Sequence, residues 1–85
     1  MQTAIIAQNK TTGNWKVLEC VEGFDDEIYT RMHKRCLAYV VLDEYELVMH
    51  KVVVFRTGDE VEEGDSVYVG ISPILETRWP TRKDL

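Results

Sequence analysis

The sequence has no apolar run approaching the ~18 residues that a membrane-spanning helix needs. Its start has neither the basic opening nor the long apolar stretch of a secretory signal. With Met1 in place, the expectation is a complete small protein of the cytoplasm. Cysteine is scarce: Cys20 and Cys36 are the only two, and a bridge between them would close a loop of sixteen residues whose geometry the sequence does not supply. They are expected to be free, partly buried thiols. No Gly-x-x-x-x-Gly-Lys loop is present to cradle a phosphate, no Cys-x-x-Cys knuckle to hold zinc, and no alternating oxygen spacing to hold calcium. No internal repeat and no low-complexity segment occurs.

What the chain does have suits one ordered domain. Its 85 residues bury about 60–65% of the surface of the unfolded chain, enough for one modest core. A hydrophobic content of 45% argues against intrinsic disorder. The net charge is −5 and unevenly spread. Residues 1–42 balance, whereas residues 43–65 carry eight carboxylates against two cations. An acidic surface disfavours non-specific contact with nucleic-acid phosphates and leaves basic protein partners open.

Thr3–Ala7 is apolar and β-branched, Asn9–Asn14 is a cluster of turn formers, and Trp15–Val21 alternates. Together they predict a β-hairpin, with Trp15, Val17 and Glu19 on one face and Lys16, Leu18 and Cys20 on the other. Asp25 or Asp26 is a good N-cap, and Asp26 and Glu27 place negative charge at the positive end of a helix. Ile28, Tyr29, Met32, Cys36 and Leu37 then recur at spacings of three and four. A helix over about 26–38 is predicted, with Arg31, Lys34 and Arg35 on its opposite face. Residues 39–42 either extend the helix or turn to strand, and strand is preferred because Val40 and Val41 are β-branched. Residues 45–55, holding Val52–Phe55, predict a long central strand.

The densest signal is Gly58–Gly70. Two Gly-Asp pairs mark turns. Val67, Val69 and Ile71 alternate with Ser66, Tyr68 and Gly70, as in a half-buried strand, and Val61 is placed in a very short one. Asp59, Glu60, Glu62, Glu63 and Asp65 repel one another and so belong in solvent. Residues 1–77 are expected to form one compact domain, and 78–85 a basic, extended tail.

Hairpin, helix and a closing Gly-Asp-x-Val strand form a familiar order. On Met1–Val21, Asp25–Leu37 and Val61–Val69 the chain resembles the β-grasp fold of ubiquitin and the small sulfur carriers. The resemblance implies an α+β fold, with the hairpin and one helix on a mixed sheet of about four to five strands, and a protein-binding role. The family's C-terminal Gly-Gly is missing, since the chain ends Arg82-Lys83-Asp84-Leu85. The activated-tail chemistry therefore does not carry over. A fainter likeness to biotinyl and lipoyl carrier domains rests on Gly58-Asp59 and Lys51. It fails because only six residues separate Lys51 from Gly58.

Chemistry-bearing residues are few. Cys20, His33, Cys36 and His50 make a two-Cys, two-His set without zinc spacing, so no metal and no cofactor is expected. Nothing orients a Cys–His nucleophile, and no catalytic residues are assigned. The expected function is a non-catalytic module binding the basic surface of another protein through Asp43, Glu44, Glu46, Asp59, Glu60, Glu62, Glu63 and Asp65. One subtype is a phage or mobile-element inhibitor of a host protein. The alternatives are a nucleic-acid binder using Arg31, Lys34, Arg35, Arg78, Trp79, Arg82 and Lys83, and a structural or oligomer-forming subunit.

Overall fold

The computed structural model describes residues 2–43, 47–55 and 74–78, with Phe55 and 74–78 described by backbone alone. Four strands and one helix follow in order: β1 (Gln2–Asn9), β2 (Trp15–Glu22), α1 (Asp26–Leu42), β3 (Val48–Phe55) and β4 (Ile74–Arg78). They form a sheet of order β2-β1-β3-β4 with α1 on one face, an α+β arrangement.

The hairpin forms as its sequence predicts. The Asn9 side chain accepts from the backbone N–H of Thr11 and Thr12 at 2.8 and 2.9 Å, and Gly13 N–H returns to the Asn9 carbonyl at 3.0 Å. Gly13 takes a φ of 79°, the region glycine enters without steric cost. Along β2 the expected sidedness changes. The register slips between Ile5 and Ile6, which face Glu19 and Val17 respectively, leaving Leu18 as an extra residue. Such a bulge reverses the alternation beyond it. Trp15 and Val17 share one face, while Leu18 and Val21 pack on the helix side and Glu19 lies there with them.

β1 is the middle of the fold, flanked by β2 and by β3, with Ile5 opposite Val52 and Ala4 opposite Val53. Thr3, Ala4, Ile5 and Ile6 are therefore all buried. Ile5 and Val52 join Met32 and Cys36 of α1 in one cluster, edged by Leu18, Val21, Ile28, Tyr29 and Tyr39. Ala4, Ile6, Trp15 and Val53 form a second cluster on the opposite face. Each large aliphatic side chain so buried contributes about 1.5–3 kcal/mol.

Every described pairing is antiparallel. The mixed sheet implied by the β-grasp resemblance is thus not seen among the described strands, and its further strands at Val61 and 67–71 fall outside them. With β1 inserted between β2 and β3, the helix crossover leaves no parallel neighbours among the described strands, which number four. Val61, the strand predicted at 67–71 and the Gly58–Gly70 turns lie outside the described residues.

The helix starts where predicted. Asp25 is the N-cap, its carboxylate accepting from Ile28 N–H at 2.8 Å. It ends later than predicted, running through residues 39–42 to Leu42. Tyr39 lies one turn beyond Cys36, packs on the same cluster and stacks on His50 of β3 with ring centroids 6.2 Å apart. That packing outweighs the weak strand preference of Val40 and Val41. β3 correspondingly begins at Val48, three residues into the strand predicted over 45–55.

Candidate functional site

The α1–β3 junction gathers most of the described features that the core does not explain. Asp43 follows the last helical residue. Its N–H donates to the Val40 carbonyl at 3.2 Å, and its carboxylate accepts from Val48 N–H at 3.0 Å, tying the helix end to the first residue of β3. Partial burial works against the charged form. The backbone donors of Val48 and Leu47, with His50 and Lys10 nearby, outweigh it and hold the carboxyl below its ordinary range. Asp43 is thus a fixed negative charge employed in the fold.

His50 sits behind it, buried and stacked on Tyr39. Burial pushes its pKa down, partly offset by Asp43. Lys51 is buried on the other face of the sheet, beside Ile6, and burial lowers its pKa too.

Among the described residues around this junction, three large apolar side chains are exposed. Leu42, Leu47 and Val41 are 75%, 55% and 48% exposed. Leu42 stands between two open hollows. One, of about 310 Å³, is lined by Ala7, Leu18, Tyr39, Asp43, Val48 and His50; the other, of about 150 Å³, by Glu19, Arg35, Ala38 and Tyr39.

The basic residues expected on the helix are divided. Arg35 is turned toward β2, where its Nε donates to both Glu19 oxygens at 2.7 and 2.8 Å and its Nη2 lies 2.6 Å from Oε1. This pairing holds the Arg35 pKa above its ordinary value. Arg31 and Lys34 are exposed, and share a shallow depression with Asp26, Glu27 and Thr30. Arg78 pairs by backbone with Val52 at the end of β4, so the ladder reaches one residue into the expected tail. Glu44, Glu46, Asp59, Glu60, Glu62, Glu63, Asp65, Trp79, Arg82 and Lys83 lie outside the described residues.

The four thiol and imidazole residues do not converge. Cys36 is buried under the helix, and its pKa is pushed up to about 12 by that burial. Cys20, opposite Ala4, is exposed on the face away from α1. Among the described residues, no group of three or more His, Cys, Asp or Glu side chains is placed to hold a metal. Among them also, no helix is long and apolar enough to cross a membrane. The apolar patch was not anticipated from the sequence. Its signal was the run Val40-Val41-Leu42 with Leu47, which the helical phase carries past the core-facing stripe.

Compared with protein-family models, curated proteins and solved structures, the chain matches none.

Proposed function

We propose that the protein is a small, acidic, non-catalytic interaction module that engages a basic surface of a partner protein. The contact groups are the carboxylates of the acidic segment other than Asp43, which the fold employs: Glu44, Glu46, Asp59, Glu60, Glu62, Glu63 and Asp65. The observation that carries this reading is the way the helix cations are accompanied. Arg35 is held by Glu19, and Arg31 and Lys34 lie beside Asp26 and Glu27. The positive charge of α1 is therefore locally balanced. The surplus of the chain, −5 overall, resides in residues 43–65.

The same balance weighs against the nucleic-acid reading, which needs an uncompensated basic face. A catalytic role gains no support from Cys36, whose thiol is buried and protonated at neutral pH. The two free thiols fit a reducing, cytoplasmic setting. A mobile-element inhibitor that offers carboxylates in place of nucleic-acid phosphates is the subtype this chemistry suits.

The test is capture from cell extract by the immobilised protein, beside a variant carrying Glu60→Lys, Glu62→Lys and Glu63→Lys. A basic protein retained by the first and lost by the second is the expected result. Equal retention on both would remove the carboxylates from the interface.

A further inference from the structure

We draw no further inference here: the strongest candidate, the exposed apolar patch of Val41, Leu42 and Leu47 at the α1–β3 junction, carries none because nothing in the structure shows what covers it.

Discussion

Arg35 of the helix and Glu19 of the hairpin form a two-pronged ion pair, with Nε donating to both carboxylate oxygens and Nη2 2.6 Å from one of them. The bulge at Leu18 makes it possible, because it brings Glu19 onto the helix side. The pair is exposed, so its removal should cost little stability and cost less as salt rises. Arg35→Ala and Glu19→Ala are each expected to lower the thermal midpoint slightly. The double variant should fall no further than the sum of the two. Its larger consequence is that Arg35 is withdrawn from any basic stripe. In a titration with single- and double-stranded oligonucleotides at low salt, no binding is expected. Tight binding that falls steeply with salt would support the nucleic-acid alternative.

Gly23 closes the hairpin at a φ of 101°, and a Cβ there would stand 3.0 Å from Ile28 Cδ1. Its carbonyl accepts from the buried Thr3 hydroxyl at 2.8 Å. Gly23→Ala is predicted to lose about 1–2 kcal/mol, mostly from backbone strain. Urea unfolding checks this; an unchanged midpoint would mean that the turn relaxes freely.

The helix depends on its cap and on its buried stripe. Asp25→Ala removes the acceptor for Ile28 N–H and should cost about 1 kcal/mol. Met32→Ala opens a cavity between α1 and the sheet at a fully buried position and should cost about 2–5 kcal/mol. Near-equal losses for the two variants in denaturant would contradict the packing described.

The two thiols should differ sharply. Cys20 is exposed, although burial of part of its side chain and the charge of Glu22 raise its pKa. Cys36 is buried, with its pKa pushed up to about 12. A thiol reagent at neutral pH is expected to modify one cysteine per native chain, and both once the chain is unfolded. Rapid modification of both in the native state would place Cys36 elsewhere.

Acid should destabilise the fold in two windows. His50 has a lowered pKa in the folded chain through burial. It therefore contributes stability above the ordinary histidine pKa, and this is lost as pH falls through its lower folded value. Asp43 likewise has a lowered pKa, so its contribution is present above the ordinary aspartate range and is lost at lower pH still. Denaturant midpoints measured across this range should fall with pH, and His50→Phe, which keeps a ring against Tyr39, should remove the upper step. A variant that retains the step would assign it to another group.

Much of this fold was legible in residue order. Turn formers at Asn9–Asn14 placed the hairpin, and Asp25 with the Ile28–Leu37 spacing placed the helix start and its buried face. Three features depended on tertiary packing that local pattern does not encode. The bulge at Leu18 is a register property of two strands together. The helix runs on to Leu42 because Tyr39 finds His50 across the core. The antiparallel placement of β1 between β2 and β3 is a matter of topology, on which alternation is silent. At the candidate site, charge was readable in advance and role was not. Asp43 looked like one more surface carboxylate, and its hydrogen bond to Val48 makes it a joint of the fold.

The most direct test of the interaction reading is the affinity of the captured partner for the wild type and for the Glu60→Lys, Glu62→Lys, Glu63→Lys variant, measured by calorimetry at low and physiological salt. The account predicts binding that weakens with salt and falls at least about tenfold, roughly 1.4 kcal/mol, on charge reversal. An affinity indifferent to both salt and charge reversal would contradict it.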